Sequence, residues 1–126
     1  MIEKQPRVTV LMPAFNAGKY IAEAIQSVLD QDFTDFELLI VEDGSTDNTK
    51  DIINQFHDPR IRSISQPKQL GVACSLNKGL SAAAGYYIAR FDADDICFPQ
   101  RLSRQVNFLD QNDEYILVGA DAEYIS

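Results

Sequence analysis

The sequence predicts an α/β fold, in which a mostly parallel sheet carries helices on both faces. Segments rich in β-branched and apolar residues alternate along the chain with segments whose apolar residues recur at helical spacing. The connections between these segments are short, which favours strand–helix–strand units. The second strand segment, residues 36–41, is a nearly continuous apolar run, as expected for a strand covered on both faces.

The first strand and helix are predicted close to the N-terminus. Residues 7–13, RVTVLMP, are β-branched and apolar, and they predict a strand that breaks at Pro13. Residues 18–31 predict a helix, and Asn16 is a candidate for its N-cap. The apolar face of this helix comprises Ile21, Ala24, Ile25, Val28 and Leu29.

A polar turn, EDGSTDNT, follows the strand at 36–41. It leads into a second predicted helix at 49–57, for which Ser45 or Thr46 is the candidate cap. An Asp-Pro turn at 58–59 then precedes a weaker third strand.

The remaining elements continue the alternation. Residues 71–85 predict a helix that ends at Gly85, and residues 86–91 predict a fourth strand. Pro99 suits the first turn of a last helix, and residues 115–120, YILVGA, predict a fifth strand. The apolar faces of these two helices comprise Val72, Leu76, Leu80 and Ala83 in the first, and Leu102, Val106 and Leu109 in the second.

Composition narrows the classes of function. The chain has 126 residues, enough for one domain, with 45% hydrophobic and 24% charged residues. It contains neither an apolar run near the ~20 residues of a membrane span nor a signal-peptide pattern, so residence in the cytosol is the expectation. The net charge of −8 disfavours nucleic acid as a partner. Cys74 and Cys97 lack metal-ligand spacing and are expected to be reduced thiols.

Polar residues collect where the predicted strands end, and ligands of open α/β sheets bind beyond the carboxyl ends of the strands. The first strand is followed by PAFNAG, the second by EDGSTD and the fourth by DADD. These segments favour a nucleotide site, because they offer an aromatic face, backbone groups and acceptor oxygens. The candidate nucleotide-binding residues are Pro13, Ala14, Phe15, Asn16, Asp43, Arg90 and Asp92.

Three aspartates, Asp92, Asp94 and Asp95, lie within four positions and predict a divalent cation site. Asp92 and Asp94 are its candidate ligands, and Asp95 is expected to hydrogen-bond the following turn. Mg²⁺ and Mn²⁺ prefer oxygen ligands, usually one or two carboxylates together with substrate phosphates. Alternate residues of extended chain point to opposite sides, so one aspartate can ligate while the other takes a ribose hydroxyl or a metal-bound water. Arg90, beside this motif, is a candidate for phosphate. The alternative interpretation is a solvated acidic turn.

Together these residues resemble a known family. Residues 8–49 and 71–102 are similar, in order and spacing, to the two N-terminal sequence blocks of family 2 glycosyltransferases, including their DxD motif. The resemblance implies the Rossmann-like GT-A fold and inverting transfer from a nucleotide-sugar, most often a UDP-sugar, to a carbohydrate or lipid acceptor. It also implies Mn²⁺ or Mg²⁺ as cofactor.

The resemblance assigns roles by position. Pro13 and Phe15 would line the base pocket and Asp43 would bond the base. Asp92 would lie near the ribose or a metal-bound water, and Asp94 would be the metal ligand. The sequence departs from the family pattern at Phe15, often Tyr, at Glu42, often Asp, and at Leu76, often Arg. The first two departures are expected to be tolerated, whereas the third removes a phosphate or base contact of the donor.

The resemblance also sets expectations about extent. The family's catalytic base lies in a second half, so it is expected beyond Ser126. Residues 1–126 are then expected to form a single donor-binding domain, a fragment of a longer glycosyltransferase that works at the inner face of the membrane. An unpaired edge on the strand at 115–120 would favour homo-oligomers.

Three other classes of function are considered. A non-catalytic nucleotide-binding module fits the same motifs. A phosphatase of the haloacid dehalogenase type also uses DxD after a strand, but its nucleophilic Asp follows the first strand, where this chain has MPAFN. A structural α/β interaction domain gives no reason for Asp43, Asp92 and Asp94 to fall at strand ends.

Overall fold

The computed structural model describes residues 5–112 and shows a four-stranded sheet, entirely parallel within that range. The strands are β1 (Val8–Ala14), β2 (Phe36–Glu42), β3 (Ile61–Ser65) and β4 (Tyr87–Arg90), and their spatial order is β3-β2-β1-β4. The helices are α1 (Ile21–Leu29), α2 (Thr49–Asn54), α3 (Val72–Ala82) and α4 (Arg101–Gln111). The predicted α/β fold is confirmed, while the strand predicted at 115–120 and its expected self-association lie outside the described residues.

Both faces of the sheet are covered, as the apolar run in β2 indicates. Side chains of successive strand residues point to opposite faces. Val10 of β1 belongs to a large cluster that includes buried residues of α1, α2 and α4, whereas Leu11 belongs to a smaller one that Leu76 of α3 joins. All seven residues of β2 are buried, so the sheet is buried most deeply at its centre. No helix in residues 5–112 is long and apolar enough to cross a membrane.

The predicted helix ends were wrong in their details. Helix α4 begins at Arg101 with Gln100 as its N-cap, so Pro99 precedes the helix rather than forming its first turn. The Pro99 carbonyl instead accepts a hydrogen bond from the Asp32 N–H at 3.0 Å. Helix α3 ends at Ala82, three residues before Gly85. A Cβ at Gly85 would collide with the backbone nitrogen of Thr9, so this glycine permits the close approach of β4 to β1.

The predicted apolar face of α3 was wrong in part: Leu76 packs against the sheet, but Val72 and Leu80 do not. Val72 and Leu80 are 55% and 51% exposed, whereas Ser75 and Gly79 are buried. A Cβ at Gly79 would overlap the side chain of Leu11. Small residues therefore face the sheet where the helix approaches β1, and Val72 and Leu80 are turned outward.

A buried polar network joins the N-terminal end of the sheet to the end of α3. The Glu37 carboxylate, 8% exposed, accepts hydrogen bonds from the Thr9 hydroxyl at 2.5 Å, the Arg62 guanidinium at 2.8 Å and the Ala84 N–H at 2.7 Å. Thr9 Oγ1 in turn accepts the Gly85 N–H at 2.8 Å. Burial raises the pKa of Glu37, but these bonds outweigh it, and the pKa is lowered from its ordinary value of 4.5.

The lowered pKa predicts an acid-sensitive contribution of Glu37 to stability. A group whose pKa is lower in the folded state stabilises the fold in full above its unfolded pKa, and this contribution is lost as the pH falls through the folded pKa. Between about pH 6 and about pH 3, the free energy of unfolding should therefore fall less steeply for Glu37→Gln than for wild type. Urea unfolding across this range tests the prediction, and parallel pH profiles would contradict it.

Candidate functional site

A pocket of about 500 Å³ opens at the carboxyl edge of the sheet. It lies where β1 and β4 adjoin, the position at which the strand order reverses and ligands bind in open α/β sheets. Its walls come from the segments after β1, β2 and β4 and from the segment that enters α3. The pocket is lined by every residue that the sequence predicted for nucleotide or metal: Pro13, Ala14, Phe15, Asn16, Asp43, Arg90, Asp92 and Asp94.

Asn16 joins the loop after β1 to the loop after β2. Its φ of 48° lies in the left-handed region, which asparagine tolerates better than most residues. Its N–H donates to the Ser45 hydroxyl at 2.9 Å, and its Oδ1 accepts the Thr46 N–H at 2.9 Å. The predicted N-cap role was therefore wrong: α1 starts at Ile21 with Tyr20 as N-cap, and the Asn16 side-chain oxygen is committed to the neighbouring loop.

Further hydrogen bonds tie the same two loops. The Asp47 carboxylate accepts the Gly18 N–H at 3.0 Å and the Thr49 N–H at 3.0 Å. The N-cap of α2 is Asn48, which makes no side-chain cap hydrogen bond, so the prediction of Ser45 or Thr46 as the cap was wrong. These contacts make the two loops one continuous wall of the pocket.

The family departure at Glu42 has a structural explanation. Its side chain is 2% exposed and accepts a hydrogen bond from the Ser45 N–H. A glutamate at this position therefore provides a hydrogen-bond acceptor for a backbone N–H of the turn that follows β2. The departure leaves the loop intact.

Asp43 is a buried carboxylate that holds the loop preceding α3. It is 3% exposed and accepts hydrogen bonds from the Gln66 side chain at 2.8 Å, the Leu70 N–H at 2.8 Å and the Gly71 N–H at 3.0 Å. An ionised carboxylate has about four acceptor positions. Three are filled by the described residues, so about one remains for a ligand in the pocket.

The pocket also contains residues that the sequence did not predict for it. Ser75 is fully buried, lines the pocket and accepts a hydrogen bond at 3.2 Å from Gln66, the same side chain that bonds Asp43. Leu76, the departure from arginine, packs against the sheet and does not line the pocket. The other added lining residues are Ala17, Tyr20, Gln69, Val72 and Ala93.

Exposed apolar side chains lie along the pocket walls. Phe15 is 39% exposed, Tyr20 55% and Val72 55%. Exposed large apolar groups beside a buried carboxylate are what a heterocyclic base requires, because its faces are apolar and its edge is polar. No sequence signal distinguished Tyr20 and Val72 from ordinary helix residues, and their roles emerge only from the placement of the loops.

The acidic motif after β4 forms a compact cluster. Oxygen atoms of Asp92, Asp94 and Asp95 all lie within 4.8 Å of one another. Burial, followed by the charges of Asp94 and Asp92, raises the pKa of Asp95. Three hard oxygen donors at this spacing fit a Mn²⁺ or Mg²⁺ ion, which would relieve the repulsion between them.

Arg90 lies beside the acidic cluster and on the pocket wall. Its Nε is 3.5 Å from an oxygen of Asp92, and the two side chains are 55% and 49% exposed. Such an exposed pair is weak. The guanidinium therefore remains available to a negatively charged ligand.

A family model described as Glycosyl transferase family 2 matches residues 9–125. The chain belongs to glycosyltransferase family 2. It is also 39% identical over 126 residues to an uncharacterized glycosyltransferase of Haemophilus influenzae, an alignment that covers 98% of this chain and 39% of that protein. The resemblance drawn from the sequence is confirmed.

Two solved structures share the GT-A fold of this family member. S. aureus TarS 1-349 in complex with UDP-GlcNAc has a TM-score of 0.80 and 28% identity, covering 85% of this chain and 32% of that one. The mannosyltransferase PcManGT from Pyrobaculum calidifontis, in complex with GDP-Man and Mn²⁺, has a TM-score of 0.76 and 29% identity, covering 84% of this chain and 33% of that one. The family 2 chain described here spans about two fifths of the length of two curated relatives, the Haemophilus influenzae protein among them.

Proposed function

We propose that the protein transfers a sugar from a nucleotide-sugar, with a UDP-sugar as the favoured donor, to a hydroxyl of a carbohydrate or lipid acceptor with inversion at the anomeric carbon. The observation that carries this proposal is the pocket, which combines the buried Asp43 carboxylate with the acidic cluster after β4. The complexes of TarS with UDP-GlcNAc and of PcManGT with GDP-Man and Mn²⁺ support it.

The base end of the donor would lie against Phe15 and Asp43. The Phe15 ring offers an apolar face for stacking, and Pro13 and Ala14 contribute the adjoining wall. The remaining acceptor position of Asp43 suits the N3–H of uracil. Because the carboxylate is already fixed by three hydrogen bonds, little conformational entropy is lost when it binds the base.

The diphosphate end would lie near the acidic cluster. Asp94 and Asp92 would hold Mn²⁺ or Mg²⁺, which when bound neutralises the diphosphate and makes it a better leaving group. Arg90 would donate hydrogen bonds to the same diphosphate, since a guanidinium matches phosphate oxygens well.

We place the catalytic base and the acceptor site beyond Ser126, so binding and transfer should separate. The 126-residue chain should bind a UDP-sugar weakly and transfer nothing, because a general base contributes about 10²–10⁴ in rate and acceptor positioning further orders of magnitude. Calorimetric titration with the UDP-sugar measures binding by this chain. A radiolabelled transfer assay compares sugar transfer by this chain with transfer by the full-length protein. Family-typical transfer by the 126-residue chain would contradict the placement of the base.

The same assay separates this function from the alternatives. Turnover of a nucleotide-sugar by the full-length protein distinguishes an enzyme from a non-catalytic nucleotide-binding module. The phosphatase alternative is set aside by the family match. Absence of both donor hydrolysis and transfer in the full-length protein would favour the binding module.

A further inference from the structure

Residues 97–102, which follow the acidic motif, lie against the C-terminal end of α1. The buried side chain of Gln31 holds this segment by hydrogen bonds. Gln31 is 3% exposed and lies two residues after the last residue of α1. Its side-chain nitrogen donates to the Phe98 carbonyl at 2.7 Å and to the Ser27 carbonyl at 3.2 Å. Its side-chain oxygen accepts the Leu102 N–H at 3.1 Å. Gln31 thus bonds both the segment after the acidic motif and the first turn of α4.

Ser27, one turn earlier on α1, holds the same segment at a second point. Its hydroxyl oxygen accepts the Cys97 N–H at 2.9 Å, while the hydroxyl donates to the Ala24 carbonyl at 2.8 Å. The Cys97 side chain is itself buried. Residues 97–102 are therefore fixed to α1 through backbone groups, whatever their side chains are.

The other side of the acidic motif is fixed by the sheet. The Phe91 N–H donates to the Leu11 carbonyl at 3.0 Å, continuing the pairing of β4 with β1, and Phe91 and Ala93 are buried. Within the motif, the Asp95 N–H donates to the Asp92 carbonyl at 3.1 Å and closes a turn. The three carboxylates thus project from a short turn anchored at both ends.

We propose that Gln31 and Ser27 are positioning residues that hold the Asp92–Asp95 turn in the geometry required by a divalent cation. This inference rests on the proposed function, because it takes the acidic cluster as the metal site. Three mutually repelling carboxylates would spread apart if the turn could move. Anchors on both sides resist that movement before the cation binds, so less ordering is required on binding.

Gln31 suits this role because it is uncharged and fully satisfied. A charged group at this buried position would carry a large desolvation cost. Its amide offers a donor and an acceptor at once, and so it reaches Phe98 and Leu102 on either side of the Pro99 turn. An apolar residue of similar volume would leave both backbone groups without their side-chain partner.

The test is a titration with Mn²⁺ alone, followed by the electron paramagnetic resonance signal of the free ion. Gln31→Met keeps the approximate volume and removes the hydrogen bonds, and Ser27→Ala removes one anchor. Gln31→Met is expected to bind Mn²⁺ about tenfold more weakly than wild type, as is typical when groups supporting metal ligands are lost. Ser27→Ala should show a smaller loss in the same direction.

Thr9→Val is the matched control. It removes a buried side-chain hydrogen bond to Glu37 at the opposite end of the sheet, so it should lower the melting temperature without changing Mn²⁺ affinity. Equal Mn²⁺ affinity in wild type, Gln31→Met and Ser27→Ala would overturn the positioning role alone. Absence of Mn²⁺ binding by the wild-type protein without UDP would overturn this role, and absence of binding with UDP present as well would overturn the proposed metal site. If Gln31→Met fails to fold, the Mn²⁺ affinity of Ser27→Ala is compared with that of Thr9→Val to decide the question.

Discussion

Replacing Asp94 with asparagine is expected to weaken Mn²⁺-dependent UDP binding at least about tenfold, or about 1.4 kcal/mol. Asparagine keeps the size of the side chain but removes the negative charge that a hard cation requires. Asp94 also lines the pocket, so its charge lies where the diphosphate would bind. Isothermal titration of UDP into each protein at a fixed Mn²⁺ concentration gives the two affinities.

Asp95→Asn is the matched control for this prediction. Asp95 belongs to the same cluster but is absent from the residues that line the pocket, and its pKa is raised by burial and by its acidic neighbours. Neutralising it removes part of the repulsion and should cost less affinity than Asp94→Asn. A larger loss for Asp95→Asn would mean that the ligand roles of the two aspartates are assigned the wrong way round.

Replacing Asp43 with alanine should lower both stability and base selectivity. The carboxylate receives three hydrogen bonds, and loss of a charged acceptor leaves buried donors unsatisfied, so we expect a loss of about 3 kcal/mol in the free energy of unfolding. Cytosine lacks the N3–H that Asp43 would accept. The ratio of UDP to CDP affinity, measured by calorimetry, should therefore fall towards one.

Gly44→Ala provides the control that separates the two effects. Gly44 has a φ of 70°, and a Cβ there would lie 2.5 Å from the backbone carbonyl carbon of Lys68. This substitution should disturb the same loop while the Asp43 carboxylate remains. It should weaken UDP and CDP alike. If Asp43→Ala leaves the UDP-to-CDP ratio unchanged, the base is read elsewhere, for example by backbone near Pro13.

The strands and helices within residues 5–112 could be predicted because local patterns determine them. The apolar run of β2 and the helical spacing in α1 reflect burial on the sheet, which the sequence records directly. Their boundaries could not be predicted as well. The Asn16 side chain accepts a hydrogen bond from Thr46, 30 residues away along the chain, and this long-range contact commits it to the neighbouring loop instead of the start of α1.

Which residues of α3 are buried could not be predicted from the sequence either. Periodicity indicated Val72 and Leu80 as buried, but the helix approaches β1 through Gly79. The distance between a helix and a sheet depends on the smallest residues at the contact, and no rule based on hydrophobic spacing contains that information.

The candidate site was predictable to the extent that parallel strands determine it. The carboxyl ends of β1, β2 and β4 meet at one edge, so Phe15, Asp43 and Asp94 could be expected together from strand ends alone. The residues that hold this site in place could not be predicted from the sequence. Gln66 and Gln31 look like ordinary polar residues in the sequence, and only the folded chain brings them to Asp43 and to the segment after the acidic motif.

Calorimetric titration of UDP into the wild-type protein, once with Mn²⁺ and once with EDTA, tests most directly whether Asp43 and the acidic cluster form one metal-dependent donor site. We predict measurable binding with Mn²⁺ and binding at least about tenfold weaker with EDTA. Equal UDP affinity under the two conditions would contradict the metal role of Asp92 and Asp94, and no UDP binding under either would contradict the donor site itself.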